Sequence, residues 1–311
     1  MLKAHLNPTV PSVFIKLKCM FGSFSFAVCA FRLPFTSPSH FGCTRHAPRE
    51  SRRSNAMLPH KSGSEHGMLS VAGPFSLTAL LCGLLTLLPS VTVCGANENG
   101  NVPYVDPFIG TEGGGNVFPG VCVPFGMVKL GPDCGNMEWN AGWAPDGNIH
   151  GFSHTHVSGT GGGCKYGNIL MLPMTGVIDL SDYSSPRENE RASVGEYSVE
   201  LTRYGTSARL TALDRAALHE YTFPAATDSR ILFDMGSCLA LKMCETQKVI
   251  GSEVRILSPT ELEGYTRVRG GWNEGEAYTV YFHAETDTPA VSFGTWKDGK
   301  TEPGKESQFD S

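Results

Sequence analysis

Charge is scarce in this chain, and the places that lack it are informative. Only 18% of the 311 residues are Asp, Glu, Lys or Arg, and together they give a net charge of −5. Beyond the short Arg49–Arg53 stretch there is no basic run, so nothing forms an electrostatic footprint for nucleic acid, and such a partner is not expected. No two of the ten cysteines form a CxxC pair, which argues against a structural zinc site. Neither glycine run, Gly113–Gly115 or Gly159–Gly163, leads into Lys-Ser/Thr, and Cys164 stands where a dinucleotide fingerprint needs its third glycine. These glycines are read instead as permitting positive φ and close backbone approach. Long helical periods are nearly absent, and no internal repeat is found.

Residues 68–94 carry no charged side chain, and Leu77–Leu88 has the length of a signal-peptide h-region. Small residues at Gly95 and Ala96 then offer a cleavage site, so 68–96 is read as a secretory signal and the chain as secreted or periplasmic. The competing reading is an uncleaved signal anchor, because 75–93 is close to the minimum span of a bilayer; membrane association is expected only in that case. Val91–Cys94 resembles a lipobox, but Val93 suits that motif poorly. No acidic residue precedes Glu50, and 1–67 is read as a leader without fold. It is either a basic transit-peptide-like segment or upstream sequence ahead of a true start at Met57 or Met68. After cleavage near Ala96 five cysteines would remain, Cys122, Cys134, Cys164, Cys238 and Cys244, an odd number that leaves at least one unpaired within this segment.

From Glu196 onward the pattern is of short alternating runs separated by turn residues. They fall at Tyr197–Leu201, Ala208–Ala212, His219–Phe223, Ile231–Met235, Val249–Leu257, Glu261–Val268, Tyr278–His283 and Ala290–Trp296. Many antiparallel strands at this spacing predict an all-β fold, a large antiparallel β-sandwich, over 97–300. Residues 101–175 are rich in Gly, Pro and Asn, as expected of ordered loops carrying a site on a sheet scaffold. Residues 301–311 read as a linker or loose end.

Candidate site residues lie in that loop-rich part. Trp139 and Trp143 flank Asn140–Gly142, and an aromatic face can stack on the C–H face of a sugar while polar neighbours bind its hydroxyls. His154 and His156 are two apart, so on a strand both rings would share a face. No third ligand follows at a metal-site spacing, so hydrogen-bonding or pocket-wall roles are expected and no metal site is assigned; a zinc hydrolase built on the pair would carry stoichiometric zinc. Carboxylates such as Asp133, Glu138 and Asp146 are available, but glycoside hydrolysis needs a spaced pair, and sequence alone cannot pair them.

Several motifs occur in order: Asp106-Pro-Phe-Ile-Gly-Thr111, Phe118-Pro-Gly120, Val123-Pro-Phe-Gly-Met127, Gly131-Pro-Asp133, Gly151-Phe-Ser-His-Thr-His-Val-Ser-Gly-Thr160 and Lys165-Tyr-Gly-Asn-Ile169. Over residues 101–300 the chain resembles the amino-terminal domain of family 92 glycoside hydrolases. The resemblance implies a secreted, calcium-dependent, inverting exo-α-mannosidase acting on a mannose-containing glycan. It also implies a β-sandwich followed by a helical-barrel domain that is the sandwich's partner, with the pocket between the two. Catalytic acid, base and calcium ligands belong to that second domain, which is absent here, so no catalytic residue is assigned in this chain. Trp139, Trp143, His154 and His156 are then expected as substrate-pocket residues. Departures from the pattern are the short interval between Trp139 and Gly142, which leaves open which tryptophan faces the sugar, and Cys164, where Pro is more usual; Asn168 also stands where Asp is common. The alternative is a free-standing carbohydrate-binding sandwich without catalysis.

Overall fold

The computed structural model describes residues 2–6, 12–22, 100–112, 115–134, 141–157, 166–177, 179–225, 228–239, 247–270 and 273–310. Trp139, the proposed signal segment 68–96 and the glycine run 159–163 lie outside the described residues. Among the described residues every regular element is a strand, apart from one 3-10 turn, Val102–Tyr104. The first two are β1 (Leu2–Leu6) and β2 (Ser12–Gly22). The loop-rich segment adds β3 (Val121–Cys122), β4 (Lys129–Cys134), β5 (Ile149–Ser153) and β6 (Leu170–Thr175). Then come β7 (Arg187–Ser193), β8 (Glu196–Leu201), β9 (Thr206–Ala212), β10 (Ala216–Thr222) and β11 (Ser229–Asp234). The last are β12 (Lys248–Ser258), β13 (Glu261–Gly270), β14 (Asn273–Thr286), β15 (Ala290–Lys297), β16 (Lys300–Pro303) and β17 (Ser307–Asp310).

Among the described residues these strands form two antiparallel sheets. One runs β16-β15-β1-β11-β6-β5-β4-β3 and the other β17-β12-β13-β14-β2-β10-β9-β8-β7. All eight predicted alternating runs are strands. Their inward residues, among them Tyr197, Val199, Leu210, Tyr221, Ile231, Phe233, Val280 and Phe282, meet between the sheets as one core. The fold is the expected all-β sandwich, with inner faces interdigitating as aligned sheets do.

Two sequence expectations are corrected. Part of the leader read as lacking fold, residues 2–6 and 12–22, lies in the middle of both sheets. β1 pairs with β11 on one side and β15 on the other, and β2 lies between β10 and β14. The physical reason is a strict period of two in β2. Val13, Ile15, Leu17 and Cys19 are fully buried, while Phe14, Lys16, Lys18 and Met20 face outward. Burying the three aliphatic side chains is worth about 5–8 kcal/mol gross, comparable with the net stability of a typical domain. The second correction concerns 301–311, which contains strands instead of a loose end. β16 pairs with β15, and β17 pairs with β12 across Ser252↔Asp310 to Arg255↔Ser307.

Candidate functional site

The motif segments converge where β4, β5 and β6 leave their sheet. β4 carries Asp133 opposite Gly151 of β5, and β5 ends at Ser153 just before the two histidines. Because His154 already lies past the strand end, the pair does not share a face, and each ring has its own partners.

His154 points across the sandwich. Its Nδ1 is 2.6 Å from the Ile169 carbonyl, its Nε2 is 2.9 Å from Nε2 of His219 on β10, and Nδ1 of His219 is 2.8 Å from the Tyr221 hydroxyl. A carbonyl can only accept, so His154 carries its proton on Nδ1 and its Nε2 accepts. His219 must then donate from Nε2 and accept from Tyr221 at Nδ1. Both rings are neutral in this one-directional chain. Burial lowers the His154 pKa to about 4 and that of His219 well below the usual histidine value, which agrees with that state.

His156 stays within its own sheet. Its Nδ1 donates to the Lys129 carbonyl at 2.6 Å, and its Nε2 lies 2.7 Å from Oδ1 of Asp133 and 3.3 Å from the Ser153 hydroxyl. Nδ1 faces a carbonyl and Nε2 a carboxylate oxygen, so both ring nitrogens point at acceptors. The Ser153 hydroxyl donates to the same Oδ1 at 3.1 Å. Ser, His and Asp are thus together, but Asp and Ser crowd one ring nitrogen, so the Asp does not orient the far side of the ring as a nucleophilic triad requires. The Phe118 ring stacks on His156 at 4.5 Å. That stacking needs Gly131, where a Cβ would come within 2.5 Å of the Phe118 ring.

The return segment 166–169 is strained and clamped. Tyr166 and the β-branched Ile169 have φ of 70° and 60°, the left-handed region that such residues rarely enter. Gln247 holds Tyr166 from both sides, accepting its N–H at 3.0 Å and donating to its carbonyl at 3.0 Å. Oδ1 of Asn168 accepts from the hydroxyls of Thr155 and Tyr278, each at 3.1 Å. Two buried polar atoms of this cluster, Oδ2 of Asp133 and Nδ2 of Asn168, have no hydrogen-bond partner among the described residues.

Trp143 is 4% exposed. Its indole N–H donates to Glu190 at 2.8 Å, the Arg187 guanidinium lies 5.2 Å from the ring centre, and Phe108 packs against it at 6.0 Å. Arg187 pairs with Glu190 at 3.0 Å and donates to the carbonyls of Ala144, Pro145 and Gly147, which fastens that loop to β7. Tyr197 completes the cluster by donating to Glu190 at 2.7 Å.

The structure therefore brings His154 and His156 into one buried region, places Trp143 in a separate polar clamp, and leaves Trp139 outside the described residues. Sequence reasoning missed His219, Gln247, Arg187 and Glu190. Only His219 left a signal: it occupies the inward register of β10 between Ala217 and Tyr221, and an inward polar group needs a buried partner. Among the described residues no three His, Cys, Asp or Glu side chains are grouped to hold a metal ion. A separate cavity of about 380 Å³ lies at the β16 edge, lined by Leu180, Phe293, Trp296 and Pro303.

Residues 104–311 match the glycosyl hydrolase family 92 N-terminal domain. The chain belongs to glycosyl hydrolase family 92. A relative described as an uncharacterized secreted glycosidase, from Arthroderma benhamiae, is 35% identical over 153 residues, 45% of this chain and 20% of its own length. A family 92 α-mannosidase from Bacteroides thetaiotaomicron, solved with mannoimidazole, is 26% identical with a TM-score of 0.50, covering 59% of this chain and 32% of that one. The structure of that enzyme without the inhibitor matches equally. The chain thus spans about a fifth of the glycosidase and a third of the mannosidase. The family 92 match covers every motif segment from Asp106 to Ile169, including the buried clusters.

Proposed function

We propose that residues 104–311 form the substrate-pocket half of a secreted α-mannosidase-type glycoside hydrolase acting on mannose-containing glycans. The chemistry is inverting and calcium-dependent, with acid, base and calcium ligands on a further domain outside this sequence. The observation that carries this reading is the state of the buried and half-buried carboxylates. Asp133 is held by His156 and Ser153, Glu190 by Arg187, Trp143 and Tyr197, and Asp234 by the Tyr183 hydroxyl and the Gly236 N–H. An inverting hydrolase needs one free acid and one free base flanking a water, and these groups are fixed as braces. No step is assigned to calcium, because the described donors do not group around a point that would hold it.

The chain's own contribution is positional. The neutral relay from Tyr221 to Ile169 and the Asp133–His156 pair fix the start and end of the motif loop between β5 and β6, and Arg187 fixes the loop before β5. His154 and His156 thereby shape the pocket from beneath. Of the two tryptophans, Trp139 is assigned the sugar-facing role, since the Trp143 ring is covered by Arg187 and its N–H is taken. An exposed apolar stretch, Val102, Tyr104, Val105 and Ile109, agrees with a docked partner domain.

Purified chain should not hydrolyse an aryl α-mannoside with or without calcium; turnover above the uncatalysed rate would overturn the placement of acid and base elsewhere. In any form that binds mannose or mannoimidazole, Trp139→Ala should abolish binding at unchanged thermal stability. Trp143→Ala should instead lower stability first, and the reverse pattern would exchange the two roles.

A further inference from the structure

Strands β1 and β2 are the hydrogen-bonded link in the middle of each sheet. Without β2, β10 and β14 have no shared ladder; without β1, β11 and β15 have none. The arm pairs on both edges along its length: β2 runs from Ser12↔Thr222 to Lys18↔Ala216 on one side and from Ile15↔Thr286 to Gly22↔Thr279 on the other. Its chemistry matches the slot. Apolar residues alternate inward, Lys16 stands opposite Glu285 in register, and Asp287 ties the Phe14 backbone on both sides, accepting its N–H at 3.0 Å and donating to its carbonyl at 3.1 Å. Among the described residues the β2 ladder runs to residues 215–222 on one side and 279–287 on the other, both in the body of the chain.

We propose that the paired slots, β10/β14 and β11/β15, are a strand-acceptor site for an amphipathic antiparallel segment, and that the chain's own residues 2–22 occupy it as a donated arm. The arm stays bound without covalent help when the chain is cut between residue 22 and residue 100. The ladder supplies affinity, and the inward alternation of Val13, Ile15, Leu17 and Cys19 supplies register, as in other β-strand additions.

The test uses the full chain with a site-specific protease sequence replacing Ser51–Asn55. After complete cleavage, the amino-terminal piece should co-elute one to one with the body on gel filtration, and Cys19 should stay at least about tenfold slower to alkylate than exposed Cys122. Separation of the two pieces, whether the body stays folded or not, overturns the proposal. So does rapid alkylation of Cys19 in a co-eluting sample, since the arm would then be held other than in its slot. Ile15→Asp with Leu17→Asp, introduced in the same cleavable chain, should release the arm on cleavage, whereas Lys16→Glu with Lys18→Glu, on the outward face, should retain it. Release by both pairs, or by neither, would also overturn the assignment.

Discussion

At the residue scale, the histidines set a pH dependence whose sign follows from burial. The folded chain protonates His154 only near pH 4, whereas an unfolded chain takes up that proton from about pH 6.5 downward. Between those values the unfolded state binds more protons, so stability falls as pH falls through this window and the loss is complete below about 4. The His154 contribution is roughly 3 kcal/mol, and His219, shifted in the same direction, steepens it. Urea midpoints measured from pH 7 to 4 should decline across this range, and His154→Gln should shallow the decline; a flat profile in the parent chain would refute the neutral relay. Arg187 gives the second test. Arg187→Ala strips Glu190 of its cation and takes the guanidinium donors from the carbonyls of Ala144, Pro145 and Gly147, of which, among the described residues, only Ala144 keeps another, the Gly147 N–H, and it should cost about 3–5 kcal/mol. Arg187→Lys should recover little of that, because an ammonium cannot span the same fork of acceptors.

At the element scale, β12, β13 and β14 pair so closely that one glycine decides their approach. A Cβ at Gly264 would come within 2.0 Å of the Glu253 carbonyl oxygen and 2.8 Å of the Phe282 ring. Gly264→Val should therefore separate β13 from β12 and lower stability by more than about 2 kcal/mol, more than ordinary overpacking of a side chain; a change within about 0.5 kcal/mol by chemical denaturation would show that the ladder yields there. The same strands illustrate what alternation reveals. Glu261–Val268 was legible because Leu262, Thr266 and Val268 turn inward while Arg267 and Arg269 face out, whereas in Val249–Leu257 two register shifts leave Ile250 and Leu257 exposed. β2 carries a clean alternation, but it stands ahead of a charge-free, signal-like run, and that context directed the reading away from a strand. β16 and β17 were missed because their residues are nearly all exposed or half-buried polar ones, with no apolar period to detect.

At the scale of the whole molecule, the chain closes its sheets through pairings between distant parts of the sequence. Ile15 pairs with His219 and with Thr286. Such non-local topology folds slowly, because loop-closure entropy is spent before the contacts form. Thiol accessibility reports the closed state: burial raises the Cys19 pKa to about 12 and the Cys134 pKa to about 11, while Cys122 is exposed. Iodoacetamide at pH 8 should label Cys122 first and leave Cys19 and Cys134 protected until denaturant is added; early labelling of Cys134 would contradict its place beneath Arg187. The arm also bears on location. A membrane crossing within 75–93, or signal cleavage near Ala96, would part residues 2–22 from residues 100–310, so this closed sandwich excludes both, and secretion would have to proceed with residues 1–96 retained.

Of the site, the sequence specified which segments matter, since the ordered motifs from Asp106 to Ile169 carry the family 92 resemblance that the comparison over 104–311 upholds. It also specified the sandwich, because a period of two is a local property of the chain. It could not specify partners. That His154 meets His219, that Glu190 takes the Trp143 N–H and that Gln247 clamps Tyr166 are facts about residues 65, 47 and 81 positions apart. Hydrogen bonds between side chains leave no periodic trace, and only the packing of one sheet over the other selects them. For the same reason residues 2–22 became structure: a strand's alternation shows that it can be buried between sheets, but only the tertiary arrangement supplies the two open edges that receive it.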